Sequence, residues 1–337
     1  MKGMRVCITG ATGFLGGALA RALAPEGAEI HALARATSDR SVLADMPVVW
    51  HEGDITHPET LHGFVAGASY VIHAAGKIGK AGDSEREYRL SNVEGTRNVI
   101  AAAMTAESHP RVLYLSTTGV LGPTPPGRLL AEDSPYAPSN AYERSKADAE
   151  KLALGFAGRG FAVIIARPGF VYGPGDRHVL RLFDAIRRRR FFYIDGGRSL
   201  CHPTFVADAV AGMLLCLKRG RPAEIYHIAG ADPVTLRQFA ETIAAELRMA
   251  PPRLSLPRRL VWAAAACLEA KSRIAGGTPP LSRTGVAFFS EDRAYSWGKA
   301  HQELGYSPQC DLRKGVHLTV AWIRQECTRL RIDKSTA

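Results

Sequence analysis

Tyr142 and Lys146, the first and last residues of the run YERSK, put a phenol and an ammonium four positions apart. Interconverting a ketone and a secondary alcohol needs a group that gives or takes the hydroxyl proton. A tyrosine with an ordinary pKa of about 10 is a poor base at neutral pH. An ammonium one helical turn away, at i+4, shares the tyrosine's face and lowers that pKa by its charge. The pair therefore reads as an acid/base, Tyr142, and its activator, Lys146. The same five residues would also suit an exposed helix face, so the surrounding chain has to supply the context.

A second chemical signal lies near the start. TGATGFLG carries Gly10, Gly13 and Gly16 directly after an apolar β-branched run and before a helical pattern. A turn without side chains lets the backbone approach a pyrophosphate, and the following helix N-terminus faces that anion with free N–H groups and its positive dipole end. Gly10 and Gly13 would allow the approach and Gly16 would let the helix pack on the strand. Thr12, Phe14 and Leu15 belong to the same candidate turn. The next strand ends in ALAR, so Arg35 stands where an NAD-preferring site would offer an acid to the ribose, and an arginine there favours a 2′-phosphate. NADP(H) is therefore expected over NAD(H). Asp54 of EGDI, followed by Ile55, could accept from the adenine amino group. HAAG offers the small residues Ala74, Ala75 and Gly76 for a cofactor to lie across.

These signals fall at the ends of strand-like runs: 6–9, 29–34, 48–51, 70–75, 112–116 and 163–166, separated by helix-length segments. Such alternation implies an α/β fold, a Rossmann-type doubly wound parallel sheet covered on both faces, whose ligand sits outside the carboxyl ends of the strands. The expected division is a nucleotide-binding domain over 1–167 and a smaller, interleaved C-terminal substrate-binding part over 168–330. A segment near 203–230 returns to the main sheet, and a loose tail follows over 331–337.

Taken in order, TGATGFLG, GDI, HAAG, NVEGT, LSTTGVLG, YERSK and RPGFVYGPGD resemble the extended short-chain dehydrogenase/reductase superfamily of NAD-dependent epimerase/dehydratase type. The resemblance implies that Thr117, 25 positions before Tyr142, orients the substrate oxygen, with Ser116 as the alternative. It implies that Tyr142 and Lys146 also touch the cofactor, Lys146 through the nicotinamide ribose. Asn92 would be the family's helix asparagine, and Pro168 would lie beside the carboxamide. A homodimer formed through helices including that of Tyr142 is implied as well. Dehydratases resemble STDE where this chain has STTG, which disfavours elimination.

The C-terminal segments LSLPRRLVWAAAACLEAKSRIAGG and SRTGVAFFSEDRAYSWGKAHQELGYSP are similar to the 3β-hydroxysteroid dehydrogenase branch and its hopanoid-associated and dihydroflavonol-reductase-like relatives. In that branch an apolar helix covers the substrate. Leu260, Val261, Trp262 and Leu268 are expected to form such a cover, which suits a steroid-, terpenoid- or polyketide-like ketone as the small-molecule substrate. A nucleotide-sugar 4-epimerase, using the same Thr-Tyr-Lys set, is the alternative. Only Arg177 and Arg198 suggest themselves as diphosphate contacts.

Composition narrows the field further. The 337 residues carry a net charge of +11, which suits an anionic partner. The densest basic run, IRRRRFFY, follows a helical pattern and lacks a nucleic-acid signature, so no nucleic acid is expected. Six scattered cysteines show no metal-ligand spacing and read as buried thiols, so no metal is expected and the compartment is cytoplasmic. Arg258 and Arg259 before the apolar segment, with Lys271 and Arg273 after it, also suit peripheral membrane association.

Overall fold

The computed structural model describes residues 1–78, 83–177, 179–275, 277 and 279–335, with side chains to residue 326 apart from Arg273. Its centre is a seven-stranded sheet made from β1 (Arg5–Thr9), β2 (Glu29–Ala34), β3 (Val48–Glu52), β4 (Tyr70–His73), β5 (Arg111–Leu115), β6 (Val163–Pro168) and the strand Ile225–Ile228. All neighbours run parallel. From one edge the order is Ile225–Ile228, β6, β5, β4, β1, β2, β3. The winding direction reverses between β1 and β4, and a crevice opens there at the carboxyl ends of the strands.

Alternate residues of each strand feed separate cores, as the two-residue period requires. Val6, Ile8, Leu113 and Leu115 pack with the helices Phe14–Leu23 and Val206–Arg219 on one face. Cys7, Val71, Val112 and Tyr114 pack with Gly95–Thr105 and Ala141–Ala157 on the other. The six strands read from the sequence are all present. β4 stops two residues short of the expected end because Ala74 and Ala75 turn their amides to the Thr9 carbonyl and hydroxyl, each at 3.2 Å.

The chain returns to this sheet late. Ile225–Ile228 pairs with β6 in the register Ile225↔Ile165 to Ile228↔Pro168, after the helix Val206–Arg219. The remaining C-terminal elements include the helices Arg258–Ala275, Arg283–Ser290 and Leu312–Ser335. The segment expected as a tail from 331 thus continues in helix to Ser335. Two short strands, Tyr193–Ile194 and Ser255–Leu256, pair in parallel. Cys7 and Cys216 are buried, Cys201 and Cys310 partly so, and all four are free. Cys267 is exposed, which corrects the expectation of uniformly buried thiols, and the Cys327 side chain lies outside the described residues.

One buried ion pair fastens the helix Ala141–Ala157 to β6. Arg167 donates from Nη2 to Glu150 Oε2 at 2.7 Å and from Nε to Oε1 at 3.0 Å, and the Tyr136 hydroxyl donates to Oε2 at 2.9 Å. Both charged side chains are fully enclosed. Two buried charges that satisfy each other add little net stability, but removing one partner strands the other. Arg167→Met should therefore cost about 3–5 kcal/mol in urea unfolding. The double variant Arg167→Met/Glu150→Leu should recover much of that loss. Equal losses in the single and double variants would show that the pair is not the tie.

Candidate active site

Gly10 ends β1 with φ +74, and a Cβ there would sit 2.6 Å from the Ala75 nitrogen and 2.8 Å from the Ala74 carbonyl carbon. The turn at the switch point is thus too close to β4 for any side chain. A Cβ on Gly16 would strike the Gly10 carbonyl, so helix and turn are pressed together. The helix Phe14–Leu23 starts at Gly13 with no side-chain cap, leaving its first amides to an anion from outside. Thr12 and Gly13 are open to solvent to differing degrees, while Phe14 and Leu15 lean on the main core.

The neighbouring strand ends extend this edge. Arg35 is exposed immediately after β2, and the Gly53 amide bonds to the Ala34 carbonyl, which sets Asp54 beside it. Asp54 Oδ1 accepts from the Thr56 amide and hydroxyl at 2.9 and 2.8 Å, so the carboxylate is fixed in place. Ile55 is buried, and its carbonyl accepts from Asn98 at 2.9 Å. Ala74, Ala75 and Gly76 follow β4 directly.

Asn92 is held by three bonds within the protein. Its Oδ1 accepts from the Lys77 amide at 2.7 Å, and its Nδ2 donates to the Lys77 carbonyl and to Ser145 Oγ at 3.1 and 2.9 Å. Both amide hydrogens are spent on the protein. Asn92 braces the loop after β4 against the Tyr142 helix, from a π-helical stretch, Arg89–Glu94, of the kind that often marks functional sites.

The Tyr142 helix, Ala141–Ala157, is capped by Asn140, whose side chain accepts from the Glu143 amide at 3.0 Å. Lys146 is buried and donates from Nζ to the Leu115 carbonyl at 2.7 Å, at the carboxyl end of β5, with the Tyr114 ring 4.3 Å away. Ser116 and Thr117 come next in the chain. Thr117 Oγ1 accepts from the Gly119 amide at 3.1 Å and caps a short turn, which leaves its own O–H to donate. The buried Ser116 Oγ has no partner among the described residues. Pro168 is buried as the last residue of β6.

The electrostatics differ from the expectation. Burial, then the charges of Glu143 and Tyr88, push the Tyr142 phenol well above its usual range, and Lys146 is not among the causes. Lys146 is itself desolvated, which lowers its pKa from 10.5 to about 7 against a smaller raising effect from Glu150. The bond that Lys146 makes is to the Leu115 carbonyl.

Several contributors were missed in the sequence. Arg293 Nη1 donates to Glu143 Oε1 at 2.8 Å, across 150 positions of sequence, and no local pattern could have shown it. His73 bonds Thr9 through Nδ1 at 2.8 Å and Thr96 through Nε2 at 3.0 Å, and burial lowers its pKa to about 3. Glu150, one turn beyond Lys146 on the same face, was legible from spacing alone.

The apolar cover is also not the expected one. In the helix Arg258–Ala275 only Val261 and Ala265 turn inward, against Ile194 and Val286, while Leu260 is 64% and Trp262 38% exposed. Leu260 faces away from that packing, and Trp262 lines a surface hollow with Arg258 and Arg259. The apolar surface beyond β6 comes instead from Phe170, two residues after Pro168, whose ring meets Phe288 of the helix Arg283–Ser290 edge-on at 5.4 Å. Arg177 is 86% exposed beside Asp39, and Arg198 bonds the carbonyl of Asp195 in its own loop. Among the described residues no group of histidine, cysteine or acidic side chains could hold a metal.

The uncapped helix, the side-chain-free turn and the orphaned Ser116 hydroxyl together fit a bound dinucleotide. Residues 6–229 match the family model described as NAD dependent epimerase/dehydratase family. The chain belongs to that family. It is an NAD(P)-dependent oxidoreductase of the extended short-chain dehydrogenase/reductase type. A 4-hydroxy-2-methyl-3-oxo-4-farnesyl-3,4-dihydroquinoline-1-oxide ketoreductase from Stigmatella aurantiaca is 33% identical, over 93% of this chain and 95% of its own. A 2-alkyl-3-oxoalkanoate reductase from Stenotrophomonas maltophilia is 28% identical, over 93% of this chain and 97% of its own. The crystal structure of gox2253 superimposes with a TM-score of 0.81 at 28% identity, covering 96% of this chain and 98% of that one.

The lowered Lys146 pKa has a thermodynamic consequence. Between about 7 and 10.5 the unfolded chain holds a proton on this group that the folded chain has released, so stability rises with pH across that window. Lys146→Met should raise the melting temperature of the nucleotide-free protein by a few degrees at pH 7. The gain should shrink as the pH rises toward 10. A gain that stays constant with pH would mean that Lys146 is not a suppressed ammonium.

Proposed function

We propose that this enzyme reduces a largely apolar, steroid-, terpenoid- or polyketide-like ketone to a secondary alcohol, with Thr117, Tyr142 and Lys146 as its catalytic groups and NADP(H) preferred to NAD(H). The carrying observation is the geometry at the carboxyl end of β5, where Lys146 bonds the Leu115 carbonyl, the Thr117 O–H is left to donate, and Tyr142 stands one turn before Lys146 on the same helix. A phenol that stays protonated through neutral pH is a proton donor, and carbonyl reduction needs a donor at the substrate oxygen.

The nicotinamide, when bound, supplies the hydride. The Thr117 O–H, kept free by its capping geometry, holds the carbonyl oxygen, and Tyr142 gives that oxygen its proton as the alcohol forms. Lys146 holds the ribose hydroxyls. The turn Gly10–Thr12–Gly13 and the first amides of the helix at Phe14, Leu15 and Gly16 hold the pyrophosphate. Arg35 takes the 2′-phosphate, Asp54 and Ile55 lie at the adenine, and Ala74, Ala75, Gly76, Ser116 and Pro168 line the path to the nicotinamide. Phe170 and Phe288 offer the apolar surface for the substrate. Burial of such surface is worth about 25 cal/mol per Å² to an apolar ligand. The Stigmatella relative is named for reduction of a farnesylated ketone, which supports the same substrate class. A nucleotide-sugar epimerase would need convergent cations for a diphosphate, and Arg177 and Arg198 belong to different elements and face solvent.

Tyr142→Phe should lower turnover by at least about a hundredfold while nucleotide affinity stays near wild type, because only the transferable proton is lost. Retention of a tenth of the wild-type rate would remove Tyr142 from the role. For cofactor choice, Arg35→Asp should weaken NADPH far more than NADH, since a charge-assisted contact becomes a repulsion. Equal weakening of both nucleotides, measured by titration, would contradict the preference.

A further inference from the structure

The outward face of the helix Arg258–Ala275 repeats apolar residues at helical spacing: Leu260, Ala263, Ala264, Cys267, Ala270 and Ile274 are all exposed. The opposite face already buries Val261 and Ala265, so the helix is apolar on two sides and only one has a partner. A helix of that kind in contact with water needs something to cover it. Leu260 at 64% and Ile274 at 90% exposure are far from the state of packed side chains.

The surroundings of the stripe say what covers it. The parallel pairing of Tyr193–Ile194 with Ser255–Leu256, extended by the bond from the Tyr193 amide to the Leu254 carbonyl at 2.9 Å, brings the ends of two distant segments together. The basic run Arg187–Arg190 and the pair Arg253 and exposed Leu254 both lead directly into this pairing, and the helix with Arg258, Arg259 and Trp262 starts just beyond. Nearby acids are already engaged. Asp184 pairs with Arg187 and Arg188, Glu291 with Arg258, and Glu269 with Arg283. Arg189, Arg190, Arg253, Arg259 and Lys271 have no ion pair among the described residues, and the Arg273 side chain lies outside them. Arg258, Arg259 and Trp262 line an open hollow of about 340 Å³.

We propose that this surface docks the enzyme on an anionic phospholipid bilayer, with Leu254, Leu260 and Ile274 set among the acyl chains and the unpaired arginines and Lys271 against the headgroups. A second copy of the chain would bring two rims with an excess of unpaired positive charge together, and like charges oppose that contact. A nucleic acid would use the arginines but leave the aliphatic stripe in water. A bilayer surface satisfies both halves of the pattern at once. No helix among the described residues is long and apolar enough to cross a membrane, so the contact is one of lying on the surface. The inference is independent of which ketone the enzyme reduces.

The test is co-sedimentation of the full chain with vesicles of phosphatidylcholine alone and of phosphatidylcholine with an equal part of phosphatidylglycerol. Binding to the second and not the first, weakened by salt, is the expected result. The charge variant Arg189→Glu/Arg190→Glu/Arg253→Glu should lower the partition coefficient by about a hundredfold or more. The apolar variant Leu260→Ser/Ile274→Ser should lower it about tenfold. Circular dichroism and nucleotide affinity should match the wild type in both. Equal binding to both vesicles, no binding to either, or undiminished binding of either variant would overturn the proposal. So would a dimer that only Leu260→Ser/Ile274→Ser dissociates, or retention on RNA without retention on anionic vesicles.

Discussion

The site depends on how one helix face disposes of its charges. Glu143, Lys146 and Glu150 lie at successive turns of Ala141–Ala157, all buried, and each has a different anchor. Glu143 takes Arg293 from the C-terminal part, Lys146 takes the Leu115 carbonyl of β5, and Glu150 takes Arg167 of β6. Unpartnered charges at these depths would be too costly to keep ionised, so the three contacts fix the helix in rotation and height against the sheet. Tyr142 inherits its position from them. Partial burial by the same packing, with the charges of Glu143 and Tyr88, pushes the phenol upward.

This disposition links the two ends of the molecule. Arg293 lies 5.6 Å over the Phe288 ring, and Phe288 meets Phe170 just past β6, so the apolar cover and the Glu143 anchor share one arginine. The chain's return through Ile225–Ile228 adds a second connection, since that strand sits beside β6 and its helix packs in the core shared with β1. The C-terminal elements are thus built on the central sheet.

Much of this was legible in the sequence because it is local. The strand–glycine–helix run at Gly10, the strand ends at Arg35 and Asp54, and the i+4 spacing of Tyr142 and Lys146 are patterns of a few residues whose geometry follows from backbone periodicity. What was not legible depends on long-range packing. That Asn92 bonds Lys77 and Ser145, 15 and 53 positions away, shows in no local pattern. The charge effect of Lys146 on Tyr142 follows from spacing, but the depth of burial that reverses the outcome does not. Leu260, Val261 and Trp262 are equally apolar on paper. Only the packing partner Val286 decides that Val261 turns in while the other two face out, and Phe288 carried no signal of its own until its neighbour Phe170 was known.

The central claim, net reduction of an apolar ketone with a proton from a neutral tyrosine, is tested most directly by following the hydride. Incubating the enzyme with NADPH deuterated at the transferring position and a panel of long-chain and polycyclic ketones should give an alcohol that carries one deuterium on the carbinol carbon, read by mass spectrometry, with one NADPH consumed per turnover. Inversion of a nucleotide sugar without net consumption of nucleotide, and with no deuterium entering any ketone, would contradict the account.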